Sequence, residues 1–190
     1  MVHSQPPKLI LASRSPRRRE LLEAAGYRFE VVPPSEEAEC ALCSGETPAE
    51  LVARLARQKA ADVAGRVAEG LVLACDTVAE CDGQVLGKPL DEDDARRMLL
   101  SLSGREHRVL TGLCLWPVPG GEPRVRVDVT VLRMDRLRPE QLDEYLASGR
   151  WEGKAAAFGY QDRLGWVHVE RGSPSNVVGL PMELLAEMLG

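Results

Sequence analysis

Alternation constrains this chain more than any other feature: apolar runs of strand length take turns with proline- or aspartate-opened helical stretches along the sequence. "KLILAS" is a buried-strand candidate that breaks into a helix with Ser15 as N-cap, Pro16 at the first helical position and Gly26 as terminator. "RFEVVPP" is a second short strand ended by its prolines, and "SEEAECALCSGE" is an acidic, aperiodic loop. A Thr47–Glu50 capping box opens "TPAELVARLARQKAADVAGRV", with Leu51, Val52, Leu55 and Ala56 as its apolar stripe and Lys59 at helical spacing from Leu55. "LVLACDTVAE" reads as a strand buried on both faces, joined through the hairpin turn Asp82-Gly83 to "QVLGKP". "DEDDARRMLLSLSG" is a helix capped by Asp91. The strands "EHRVLTGLCLWPV" and "RVRVDVTVLRMD" flank "PGGEP", the second with Val125, Val127, Val129 and Val131 alternating with polar residues as in a half-buried strand. A helix "PEQLDEYLASG", the small-residue run "GKAAAFGYQ", a strand "GWVHVE", a turn "RGSPSN" and a helix "MELLAEMLG" follow. Hairpins combined with helical crossovers predict an α/β fold with a mixed β-sheet flanked by helices.

Bulk properties narrow the function classes. The 190 residues suit one domain, 1–190, large enough to bury a real core. A net charge of -5 and 4% aromatic content argue against a nucleic-acid binder, which needs a basic face and stacking platforms. The same acidic balance argues against a membrane-surface protein, and no segment approaches the roughly 20 apolar residues of a membrane span. Five cysteines, an odd number, with no signal-peptide pattern predict a reducing, cytoplasmic setting. Cys40 and Cys43 form a lone CxxC without the second pair that structural zinc requires, and His3, His107 and His168 are isolated, giving little support to a Ser or Cys triad.

Several residues carry possible chemistry. Arg17, Arg18 and Arg19 crowd a helix's first turn, where unpaired N–H groups and the dipole already repel cations. A phosphate docked on that turn, held also by Ser13, resolves the conflict; the plainer reading is a solvated helix start whose arginines pair with Glu20 and Glu23. Asp76 and Thr77 fall where an apolar strand turns polar, and an aspartate there holds a magnesium ion or takes a proton from attacking water, or simply caps the hairpin. Lys88, in "GKP", sits on the partner strand within reach of Asp76 or else on the open surface; the segment is not a Walker A loop. Glu36 or Glu37 could supply a second carboxylate, although a charged surface loop explains them equally well. Lys59 beside an apolar stripe is commonly a snorkelling side chain. Gln161 could read a base edge, since its amide both donates and accepts.

Taken in order, "SxSPRR", "AxxKA", "xDTV", "GKP", "LSGxxHxVxTG", "GK(A)xxFGxQ" and "NVVGLP" resemble the Maf family of nucleoside triphosphate pyrophosphatases, from about Leu9 to Leu189. The resemblance implies an elongated α/β fold like that of inosine triphosphate pyrophosphatases, with two lobes around a cleft. It implies hydrolysis of a nucleoside triphosphate to the monophosphate and pyrophosphate with a divalent cation, Mg2+ or Mn2+, and a homodimer. It makes Asp76 the proton acceptor, Asp76 with Glu37, or with Glu36 in its place, the metal ligands, and Ser13, Arg17, Arg18, Lys59, Thr77, Lys88 and Gln161 the substrate contacts. The Asp76-Thr77 pair, Arg17 and Gln161 match the branch that prefers dTTP and UTP. The chain departs from the family's usual "KAGAYxIQG" at Ala156, Phe158 and Asp162, around the base-reading glutamine. Two other readings are a regulatory module linked to cell division that binds nucleotide without turnover, and the same chemistry with another base preference.

Overall fold

The computed structural model describes residues 8–39 and 45–190; the Cys40–Cys43 motif and His3 lie outside them. Along the chain run β1 (Leu9–Leu11), α1 (Pro16–Ala24), β2 (Phe29–Val31), α2 (Pro48–Ala64), β3 (Gly70–Cys81), β4 (Gln84–Leu86), α3 (Glu92–Leu102), β5 (Glu106–Val118), β6 (Arg124–Met134), α4 (Pro139–Ala147), β7 (Val167–Arg171), α5 (Pro174–Val178) and α6 (Met182–Leu189). The strands pair in the order β2-β1-β3-β5-β6-β7, with β4 on β3. β1 is parallel to both β2 and β3, whereas β3–β4 and β6–β7 are antiparallel. The predicted mixed α/β sheet is therefore present.

The described residues gather into two compact units. The first takes the residues up to Asp76 with Gly112–Val127 and Leu184–Gly190; the second takes Thr77–Thr111 and Asp128–Glu183. Small side chains dominate the first unit's core around α2: Ala12, Ala56, Ala60, Ala74 and Cys114 pack with Ile10, Val63 and Val72. Such a core lets helix and sheet backbones approach closely. Gly112 of β5 marks the extreme, because a Cβ there would lie 2.2 Å from the Val52 carbonyl oxygen. Larger residues fill the second unit, among them Leu86, Met98, Leu99, Leu102, Leu132, Met134, Tyr145, Phe158 and Trp166.

Local signals were followed closely at most boundaries. The Thr47–Glu50 capping box forms in both directions, Asp91 accepts from the Asp94 N–H at 2.8 Å, and the Asp82-Gly83 turn has positive φ at both residues, 50° and 80°. Three expectations need correction. Ser15 occupies the N-cap of α1 with extended backbone, but its side chain makes no capping hydrogen bond; instead its N–H donates to Ser13 Oγ at 3.2 Å. "RGSPSN" holds the start of α5, capped by Ser173, whose Oγ accepts from the Ser175 N–H at 3.1 Å. The valine alternation of β6 does not keep one buried face: Val125 packs on the first unit's core, yet Val129 is 40% exposed while Thr130, Leu132 and Met134 are fully buried. The buried parity changes as the strand passes from one unit to the next, which a uniform period-2 pattern cannot register.

Gly112→Ala should destabilise the protein by about 1–3 kcal/mol or more, since α2 must be pushed off the sheet. Urea unfolding at constant m-value measures it, and an unchanged midpoint would disprove the close approach.

Candidate active site

Parallel pairing places Leu11 level with Leu73, so continuing the register by two brings Ser13, just past the end of β1, level with Cys75. Ligands of α/β proteins collect outside such strand ends. Four of the chain's buried polar side chains belong to this place: Ser13, Arg18, Lys59 and Asp76, each 5–9% exposed. Arg18 Nη1 donates to the Cys75 carbonyl oxygen at 2.8 Å and to Ser13 Oγ at 3.2 Å. Lys59 lies on the buried stripe of α2 and its Nζ donates to Asp76 Oδ1 at 2.6 Å. The Cys75 thiol sits within the influence of all three charges: burial pushes it up to about 11, Arg18 opposes this, Asp76 adds to it and Lys59 opposes it.

These contacts replace two of the plainer readings. Lys59 does not snorkel to solvent, and Asp76 does not cap the hairpin; that task falls to Glu80, whose Oε1 accepts from the Gly83 N–H at 2.6 Å. Burial raises the Glu80 carboxyl, but hydrogen bonds from Arg108 and the Gly83 N–H outweigh it and hold the group below the usual carboxylate range. Arg17 is half-buried in the first turn of α1. Glu36 and Glu37 are exposed, Glu37 opening a short 3-10 turn, Glu37–Glu39.

Among the described residues, no three His, Cys, Asp or Glu side chains converge to hold a metal ion. The donors that the resemblance nominates, the carboxylates of Asp76 and Glu37, are hard oxygen ligands. Their donor type is that of a hard cation which takes one or two carboxylates with water and phosphate oxygens, not the thiolate and imidazole set of structural zinc.

The second unit holds Thr77, Lys88 and Gln161. Thr77 Oγ1 lies 2.9 Å from Thr111 Oγ1, and Thr111 Oγ1 donates to the Asn176 carbonyl oxygen at 3.2 Å. Asn176 Nδ2 then donates to the Val109 carbonyl at 3.1 Å and to Thr130 Oγ1 at 2.9 Å. Lys88 is exposed, immediately after Gly87, whose carbonyl accepts from the Ala156 N–H at 2.8 Å. That bond ties the Lys88 segment to the loop bearing Gln161, which is exposed in a 3-10 turn, Tyr160–Asp162. Thr111 and Asn176 received no role in the sequence reading. The available signal was a lone hydroxyl inside the apolar run "VLTGLCL", which must find a buried partner.

His107 is equally buried, edge-on to Phe158 at 5.4 Å, and neither ring nitrogen has a hydrogen-bond partner. Burial pushes it down to about 4. It is a core residue.

A strand end lined with buried charge beside a proline-opened helix defines an α/β protein equipped for an anionic ligand. The comparisons make the class particular. The family model described as "Maf-like protein" matches residues 8–190, and the chain belongs to that family. A dTTP/UTP pyrophosphatase of Rhodopirellula baltica is 58% identical over 185 residues, covering 97% of this chain and 82% of that protein. The dTTP/UTP pyrophosphatase of Syntrophomonas wolfei is 44% identical over 94% of each chain. Among solved structures, a HAM1 protein from Coxiella burnetii matches with a TM-score of 0.53 at 16% identity, over 96% of this chain and 98% of that one, a likeness of fold.

Two measurements follow from this geometry. Lys59→Met leaves the Asp76 carboxylate buried without its partner and should cost about 3–5 kcal/mol in urea unfolding, whereas Lys59→Met with Asp76→Leu should recover most of it. Equal losses in the single and double variants would show that the pair is not coupled. For His107, the folded state resists protonation between the ordinary 6.5 and about 4 while the unfolded chain accepts it. Stability should therefore fall as pH drops from about 6.5 to 4, by about 3 kcal/mol in total from this group. His107→Phe should remove that part of the slope; an identical pH profile would reject the assignment.

Proposed function

We propose that this protein hydrolyses dTTP and UTP to the monophosphate and pyrophosphate. The observation that carries the reading is the buried Lys59–Asp76 pair at the end of a parallel strand beside α1, in a member of the Maf-like family whose relatives are named for this activity.

A triphosphate tail repels any nucleophile until its charge is compensated. In the proposed reading, the first-turn N–H groups of α1, Ser13, Arg17 and Arg18 hold phosphate oxygens, and Lys59 and Lys88 neutralise further charge. Because Arg18 Nη1 already binds the Cys75 carbonyl and Ser13 Oγ, its larger contribution is to brace the strand end on which Asp76 sits. Asp76 takes the proton from a water whose oxygen attacks the α-phosphorus. The bond from that phosphorus to the bridging oxygen breaks, and pyrophosphate leaves with the electron pair. Lys59 fixes the aspartate's orientation through Oδ1. Asp76 and Glu37 would hold a divalent cation, Mg2+ or Mn2+, which when bound supplies compensation of phosphate charge. Thr77 and Gln161 set the base preference, Thr77 with its hydroxyl oriented by Thr111. The free thiols of Cys75, Cys81 and Cys114 support a reducing, cytoplasmic setting, and no helix among the described residues is long and apolar enough to cross a membrane. A homodimer is the assembly that the family resemblance supports.

Pyrophosphate release from a panel of triphosphates with Mg2+ tests the reading. The protein should favour dTTP and UTP, and Asp76→Asn should lower kcat by roughly 10²–10⁴-fold with nucleotide binding retained. Binding without turnover would instead favour the regulatory module, and near-normal kcat in Asp76→Asn would remove that residue from the proton-accepting role.

A further inference from the structure

We propose that Asp162 is a positioning residue for nucleobase recognition: its part-buried ion pair with Lys154 clasps the loop that presents Gln161. The proposal rests on the reading that Gln161 meets the base.

The loop is closed by side chains as well as backbone. Lys154 Nζ donates to Asp162 Oδ2, with the two side chains only 13% and 12% exposed. Tyr145 of α4 donates its hydroxyl to the same oxygen at 3.3 Å, and its ring is fixed edge-on against Trp166 at 5.6 Å. Desolvation first, and then the Asp162 charge and hydrogen bond, raise the Tyr145 hydroxyl far above its ordinary value, so it serves as a donor. The clasp closes directly over Gly159, where a Cβ would stand 2.8 Å from Lys154 Nζ and 3.0 Å from Asp162 Oδ2. A side chain at that position would force the pair apart.

A purely structural role explains this arrangement poorly. Replacing a buried ion pair by apolar residues is often neutral or stabilising, so the pair is a weak source of net stability. What it does supply is a fixed separation between residues 154 and 162, and the exposed Gln161 stands next to one end of it. An amide that must choose between donor and acceptor edges of a base needs its backbone held still.

The test measures pyrophosphate release from dTTP and from dATP by Gln161→Ala, Asp162→Ala, their double variant and Asp162→Asn. A structural lesion scales both nucleotides together, whereas mispositioning changes their ratio. Asp162→Ala should lower the dTTP-to-dATP ratio of kcat/KM about tenfold, mainly through KM for dTTP, as loss of one specific hydrogen bond would. The double variant should be no less selective than Gln161→Ala alone. Asp162→Asn, which keeps an oxygen acceptor for Lys154 and Tyr145, should lose less, and it carries the comparison if Asp162→Ala does not fold. An unchanged ratio in the Asp162 variants, or losses that multiply in the double variant, would overturn the proposal. If Gln161→Ala itself leaves the ratio unchanged, Gln161 does not read the base and the proposal falls with it. The pyrophosphatase reading would survive that outcome, since it rests on release by the unaltered protein.

Discussion

The Lys59–Asp76 pair is the interaction on which the rest of the first unit depends. Taking both ions out of water costs several kcal/mol each, and only close, well-directed contact offsets it. Three features of the chain provide that contact. The Thr47–Glu50 capping box fixes where α2 begins, and hence which residues fall on its buried stripe. Alanines at 12, 56, 60 and 74 with Gly112 let the helix lie close against the sheet. Arg18, reaching the Cys75 carbonyl, braces the strand immediately before the aspartate.

The same pair shows where sequence reading stops. Every element that contributes to it was legible, because capping residues, turn dipeptides and apolar stripes act within a few residues of one another. The contact itself was not, since helical spacing puts Lys59 beside an apolar face without saying what that face meets. Snorkelling and pairing look identical from within the helix. The Asp82-Gly83 hairpin is legible as a dipeptide, but the plainer reading assigns its side-chain cap to Asp76. The β3–β4 register instead places Glu80 opposite Val85 and next to the turn, where it accepts from the Gly83 N–H. Ser15 illustrates the converse: it takes the N-cap position that its residue type suits, yet its side chain makes no capping hydrogen bond. The β6 valines were misread for a global reason, because a strand shared by two cores has no single buried face.

Recognition and chemistry rest on different kinds of support. The groups assigned to bond breaking stand on a helix stripe and strand ends, where regular backbone hydrogen bonds fix them. The hydroxyl of Thr77 is held by a chain of buried donors and acceptors through Thr111 to Asn176 and Thr130. In that chain each group has only so many protons to give. If Thr111 spends its single O–H on the Asn176 carbonyl, the hydrogen between the two threonines comes from Thr77.

The loop carrying Gln161 is built on a different principle. Of the four non-glycine residues with positive φ among those described, Ala156, Ala157 and Arg163 lie in it, at 56°, 63° and 48°. A left-handed alanine costs on the order of 1–2 kcal/mol, so this conformation persists only where surroundings over-determine it. Here they do: Ala156 and Ala157 are fully buried, the Ala156 N–H is anchored on Gly87, Phe158 packs against His107, and Lys154 holds Asp162. Relaxing the backbone would relieve the strain but would break a part-buried ion pair and expose an aromatic ring. Those contacts oppose the relaxation that the strain alone would favour. In the proposed reading, a glutamine mounted on this loop would have the ordering cost of its backbone met during folding instead of at binding.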